Sequence, residues 1–211
     1  MKLVVLGGTG GTGRAVLEQA LAAGHDVTAV VRNRSALDAR DRLSIVEGDV
    51  TDAGSLERHL EGADALISGL GSRASLREPV TLYSRSSEAI VEALRRRQVK
   101  RLLVVTAGGY VKDPAAHWWF RRVIQPILVR VLRHVYDDMQ RMEAIIERSE
   151  LDWTIVRPAR LLDGPATGSY RTVTNGLVPK GGTITRADVA HLLLDALTHE
   201  RFIRELVSVA Y

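Results

Sequence analysis

The chain has 211 residues, 45% hydrophobic and 26% charged, which suits one core on both faces of a sheet and would be a squeeze for two domains. It contains no cysteine, and this excludes a disulfide framework, a thiolate metal site and a cysteine nucleophile. The formal charge of +4 comes from arginines scattered along the chain, so it does not argue for a nucleic-acid partner.

The first apolar run, Lys2–Leu6, ends in glycines instead of a signal-peptide cleavage site, and no stretch approaches the ~20 apolar residues of a membrane span. A cytoplasmic protein without stable membrane insertion is expected. A helical pattern follows over Gly13–Ala23, with Val16, Leu17, Ala20 and Leu21 on one face and Gly24 as its stop. Further strand-like runs are Asp26–Arg32, Leu43–Glu47, Ala65–Ser68, Arg101–Thr106, Trp153–Arg157 and Leu206–Ala210. They alternate with helical patterns at Ser55–Leu60, about Val80–Arg97, within Ala115–Ser149 and at Arg186–Thr198. Pro126 must kink or divide the longest of these. The alternation predicts a single α/β domain over 1–211, a doubly wound parallel sheet of the Rossmann kind. The Gly- and Pro-rich loop Asp163–Thr183 reads as an excursion from the last part of the sheet.

The sequence Gly7-Gly8-Thr9-Gly10-Gly11-Thr12-Gly13 lies between a predicted strand and a predicted helix. Glycines there allow a tight turn and close backbone approach, and the helix N-terminus offers free N–H groups to a pyrophosphate, with the Thr9 and Thr12 hydroxyls as further donors. At the end of the second strand an NAD site needs a carboxylate for the ribose 2′-hydroxyl. This chain has Arg32-Asn33-Arg34. Guanidinium groups suit a 2′-phosphate, so NADP(H) is the expected cofactor.

Several segments recur together in a known order: Gly7–Gly13, Val30-Val31-Arg32, Gly48-Asp49-Val50, Gly69–Arg73, Leu151–Pro158 and Ile184–Ala190. With them the chain resembles the atypical short-chain dehydrogenase/reductases of the NmrA-like type, and within these the biliverdin reductase B (flavin reductase) branch. The resemblance implies that Asp49 and Val50 hold the adenine. It also implies that Leu70, Gly71, Ser72 and Arg73 line the path to the nicotinamide, with Thr106, Ala107 and Pro158 beside it. Ala107 stands where that branch has serine, and Arg160 where it has histidine. Thr106 and Arg160 are the candidate catalytic residues.

Short-chain dehydrogenases usually work through a Tyr with a Lys four residues on. Here the residues four beyond Tyr83, Tyr110, Tyr136 and Tyr170 are Ser87, Pro114, Gln140 and Thr174, and Tyr211 is the last residue. Ordinary alcohol–ketone chemistry is therefore not expected. Without the pair, hydride transfer suits a flat conjugated acceptor such as a flavin, tetrapyrrole or quinone, for which the protein supplies orientation and a dry pocket. The competing expectation is a non-catalytic, redox-sensing NADP(H)-binding regulator. The dispersed histidines offer neither a metal site nor a hydrolytic triad.

The helical segment at about 115–136 is longer than in the reductases the chain resembles. Val123, Ile124, Ile127, Leu128, Val131, Leu132 and Val135 share one helical face. Three roles stay open for it: core packing, a lid that stacks Trp118 and Trp119 on the acceptor, or a surface for a partner or membrane.

Overall fold

The computed structural model describes residues 1–72, 78–111, 118 and 120–211. Arg73 and Trp119, both singled out above, lie outside the described residues. Strand β1 (Lys2–Leu6) leads into helix α1 (Gly11–Ala22), followed by β2 (Asp26–Val31), β3 (Leu43–Glu47), α2 (Ala53–Glu57), β4 (Ala65–Ser68), α3 (Leu82–Arg96) and β5 (Arg101–Val105). A short π-helical turn (Phe120–Ile124) opens the next part, which continues through α4 (Gln125–Val131), α5 (Arg133–Glu147), β6 (Asp152–Pro158), β7 (Arg160–Leu162) and β8 (Arg171–Thr174). The chain closes with β9 (Thr183–Thr185), α6 (Arg186–Asp195) and β10 (Glu205–Ala210).

Eight strands form one sheet in the order β3-β2-β1-β4-β5-β6-β10-β8, parallel except where β8 pairs antiparallel with β10. The runs read as strands are rich in Val, Ile and Leu because both faces of a parallel sheet are covered. Alternation along the strands divides the core in two. Val4, Leu6, Leu66, Leu102, Val104 and Ile155 face Ile90 and Leu94 of α3 and Met142 and Ile146 of α5. Leu3, Val5, Ile67, Leu103 and Val156 face Val16, Leu17 and Ala20 of α1 and Val189 and Leu193 of α6. Each fully buried aliphatic side chain contributes about 1.5–3 kcal/mol relative to exposure, which makes these layers the main support of the fold.

Strand order reverses at β1, whose neighbours are β2 and β4. In an open α/β sheet this switch point leaves a crevice beyond the strands' carboxyl ends. The predicted glycine loop opens into it.

Several expected boundaries move. Helix α1 begins at Gly11, two residues before the predicted start, because the glycine loop already closes a turn with a 2.9 Å bond from the Gly10 N–H to the Gly7 carbonyl. Helix α2 is capped by Asp52, whose Oδ1 accepts from the Gly54 N–H, and ends at Glu57. Pro126 does divide the long helical stretch: it is the second residue of α4, where no backbone donor is needed. A second break, at Leu132 (φ −98°, ψ 14°), was not expected. The excursion at Asp163–Thr183 holds one strand, β8, which forms the sheet edge beyond β10, and it is flanked by β7 and β9, which pair with each other.

Candidate functional site

Sterics fix the glycine loop. Gly7 has φ +77°, and a Cβ there would lie 2.6 Å from the Gly69 carbonyl oxygen. A Cβ on Gly13 would collide with the Gly7 carbonyl. The loop is thus folded on itself and against the end of β4. At Gly10 the same test meets only the Gly7 oxygen at 3.3 Å, so glycine there is not demanded by packing. No side chain caps α1 at its N-terminus and its first turn carries no acid. The helix therefore presents its leading N–H groups, at Gly11, Thr12 and Gly13, toward the crevice. Thr9 is exposed, whereas Thr12 is buried.

Arg32 and Arg34 follow the end of β2, both exposed. Between them Asn33 accepts from the N–H and hydroxyl of Ser35 at 3.0 and 2.8 Å, which holds a 3-10 turn over Arg34–Ala36. Among the described residues neither arginine forms an ion pair. On the neighbouring β3 side, the Asp49 carboxylate accepts from the Thr51 N–H and hydroxyl at 2.8 and 2.7 Å. The backbone bond, then the hydroxyl, holds its pKa below the usual carboxylate value. Asp49 therefore shapes a turn, and it is exposed. Val50 is buried and belongs to the core.

The segment after β4 is held from below. The Ser72 N–H donates to the Tyr83 hydroxyl at 2.8 Å. The Tyr83 N–H in turn donates to Asp138, a fully buried carboxylate on α5 that also accepts from Ser84 and Arg141. Leu70, Gly71 and Ser72 are thus anchored through the start of α3.

At the end of β5, Thr106 is buried and its hydroxyl donates to Glu143 at 2.9 Å. The Thr106 N–H bonds to the Val156 carbonyl and the Gly108 N–H to the Pro158 carbonyl. This brings Thr106, Ala107 and Pro158 side by side. The hydroxyl itself is turned to Glu143, so Thr106 ties the strand end to α5. Glu143 is also clasped by Arg157 through two bonds of 2.9 and 2.7 Å, a nearly buried forked pair. Tyr110 lies beside this pair, and its buried hydroxyl has no hydrogen bond of good geometry among the described residues. Burial, and then the Glu143 charge, push the tyrosine pKa up, so it keeps its proton. Arg160 is exposed at the start of β7, beyond Pro158, and among the described residues it too lacks an ion pair.

Three groups were missed in the sequence. Glu143 and Arg157 meet Thr106 from 37 and 51 positions along the chain, with no local pattern to signal it. Arg186, at the start of α6, lies over the glycine loop: a Cβ on Gly11 would be 2.6 Å from its Cδ. Its guanidinium donates to Asp163 at 2.7 Å. The one available signal was the glycine itself, which leaves room for another segment to approach the loop.

A family model described as NAD(P)H-binding matches residues 7–200. The chain belongs to the NAD(P)H-binding family. Among its relatives is the YwnB protein of Bacillus subtilis, 27% identical over 99% of this chain and 98% of that protein. Similar solved structures include ChuY, an anaerobilin reductase from Escherichia coli O157:H7, with TM-score 0.79 and 24% identity, covering 100% of this chain and 97% of the other. Another is a wide-type short-chain dehydrogenase/reductase from Veillonella parvula solved with NADP, with TM-score 0.75 and 19% identity over 100% and 94% of the two chains. These two likenesses are of fold. The family assignment gives the chain its cofactor class, NAD(P)H.

Proposed function

We propose that this protein is an NADPH-dependent oxidoreductase of the NmrA-like atypical short-chain type, resembling flavin and biliverdin reductases and acting on a flat, conjugated acceptor. The observation that carries the cofactor choice is the exposed pair Arg32 and Arg34 at the end of β2, with no carboxylate in that turn. Two unpaired guanidiniums fit a 2′-phosphate and leave a 2′-hydroxyl without its acceptor. In this reading the N–H groups of Gly11–Gly13 and the arginines hold the cofactor phosphates, Asp49 and Val50 border the adenine, and Leu70–Ser72, Ala107 and Pro158 flank the nicotinamide. When bound, the nicotinamide supplies a hydride.

The acceptor class follows from what surrounds Thr106. Its hydroxyl is engaged by Glu143, Glu143 is neutralised by Arg157, and Tyr110 holds its proton tightly. None of these groups is placed to protonate an alkoxide as a ketone is reduced. An electron-poor conjugated acceptor needs no such acid, because its negative charge delocalises and its proton comes from water. A tetrapyrrole fits this chemistry, and a tetrapyrrole reductase shares the fold. Arg160, exposed past Pro158, is assigned to an acidic substituent of the acceptor.

The test is NADPH oxidation with FMN, FAD, biliverdin and simple quinones. Turnover with at least one, at a rate that Arg160→Ala lowers through a raised KM, supports the proposal. Tight binding of both NADPH and NADP+ without turnover on any acceptor would instead support the non-catalytic sensor.

A further inference from the structure

We propose that the helical segment from Phe120 to Arg133, together with Trp118, is a docking surface for an anionic phospholipid membrane, on which the protein lies without crossing it. Among the described residues seven large hydrophobic side chains are exposed, and five belong to this segment: Trp118 (68%), Val123 (50%), Ile124 (41%), Ile127 (57%) and Val131 (45%). Such clustering marks an interaction site, whereas single exposed apolar residues do not. The opposite side of the segment is anchored. Gln125 is buried and donates to the Val111 carbonyl at 2.9 Å, and Leu132 packs against the core. The outward apolar face is therefore fixed in place by the inward one.

Charge selects the occupant. Arg122, Arg130 and Arg133 are all exposed, and among the described residues none pairs with a carboxylate. The sequence has no Asp or Glu between Asp113 and Asp137, and four arginines. A second copy docked by two-fold symmetry would set this all-positive patch against itself, and nothing acidic is present to relieve the repulsion. An anionic lipid surface matches both features, since arginines meet phosphate and serine headgroups while Trp, Val and Ile enter the boundary with the acyl chains. The segment is too short to span: no helix among the described residues is long and apolar enough to cross a membrane.

The proposal is independent of the reductase reading and is tested without cofactor, by co-sedimenting the full chain with vesicles of phosphatidylcholine alone or mixed with phosphatidylserine. Each arginine near an anionic surface multiplies partitioning by about fivefold. Binding to the serine-containing vesicles should therefore exceed that to phosphatidylcholine by tenfold or more, and should weaken as salt rises. Ile127→Asp and Arg130→Glu, both at exposed positions, should each reduce it tenfold or more while thermal unfolding and NADPH affinity stay unchanged. Equal binding to both vesicle types would overturn the proposal. Binding that Ile127→Asp leaves intact would also overturn it, for the attraction would then belong to the whole molecule's charge. So would absence of vesicle binding, whether the chain is a dimer that Ile127→Asp dissociates or a monomer whose face takes a protein partner.

Discussion

Helices α1 and α4 are both amphipathic, yet they end in opposite situations. In α1 the apolar residues Val16, Leu17 and Ala20 are buried between the sheet and α6. In the turn before α4 and in α4 itself, Val123, Ile124, Ile127 and Val131 face outward, while Leu128 and Leu132 are half-buried. The seven residues expected on one face of the second segment are divided instead, Leu128, Leu132 and Val135 lying inward and Val123, Ile124, Ile127 and Val131 outward, and what separates the two segments is whether, among the described residues, a second layer receives the outward side. Periodicity tells which side of a helix is apolar; only the count of neighbouring elements tells what covers it.

The contrast is broken most strongly by truncating one residue in each helix. Leu17→Ala, at 3% exposure, should lower stability by about 2–5 kcal/mol in denaturant titration, the usual range for a buried leucine. A loss below about 1 kcal/mol would mean that α1 is not held by its apolar face. The next effect concerns the open end of α1. Arg32→Ala should remove a charge-assisted contact worth about 1.5–3 kcal/mol, cutting the preference for NADPH over NADH by about tenfold to a hundredfold. Equal affinity of the unaltered protein for both cofactors would contradict that role. At Gly10, where a Cβ meets only one oxygen at 3.3 Å, Gly10→Val should weaken NADPH binding and leave the fold intact, whereas Gly7→Val should lower stability because it meets the Gly69 backbone.

A smaller effect is confined to acid. Asp188, on the α6 that covers α1, is fully buried. Burial opposes its charge, but bonds from Tyr211, Gly168 and Thr167 prevail and lower its pKa to about 2. A depressed carboxyl pKa stabilises the fold above its unfolded value of 3.8 and loses that contribution as pH falls through about 2. Melting temperature should therefore drop between about pH 4 and pH 2, more steeply than in Asp188→Asn; parallel curves would refute the assignment. The smallest effect belongs to the uncovered helix. Ile127→Ser should change stability by no more than about 0.5 kcal/mol, and a loss of several would show that another layer covers α4.

What the sequence made legible follows the same division. Strands β1, β3 and β4 coincide with the predicted runs to the residue; β1 and β4 are buried parallel strands, which leave a continuous hydrophobic signature, whereas β3 is a half-exposed edge strand marked by Leu43, Ile45 and Val46. The glycine loop was readable because backbone approach there admits no side chain at Gly7 or Gly13. Strands β7, β8 and β9 were not, since each has three or four residues set among glycines and prolines and is defined by partners, not by its own composition. The buried set of Thr106, Glu143 and Arg157 escaped for a related reason: it exists only once β5, α5 and β6 are adjacent. Arg186 over Gly11 joins two helix starts that the sequence keeps 175 positions apart.

The strand order carries a consequence for how the chain assembles. Strand β10 lies between β6 and β8, so β8 is made before the strand that must separate it from the rest of the sheet. Until residues 205–211 leave the ribosome, β6 exposes one edge, β8 has no partner there, and the loop at Thr167 and Gly168 lacks the Tyr211 hydroxyl that completes the hydrogen-bond set of Asp188. Folding from the N-terminus can therefore finish the glycine loop and the β3-β2-β1-β4-β5 portion early, while the far edge stays open to mispairing and chaperone capture. Synthesis order thus separates the two edges of the sheet in time, the β3 edge taking shape before the β8 edge.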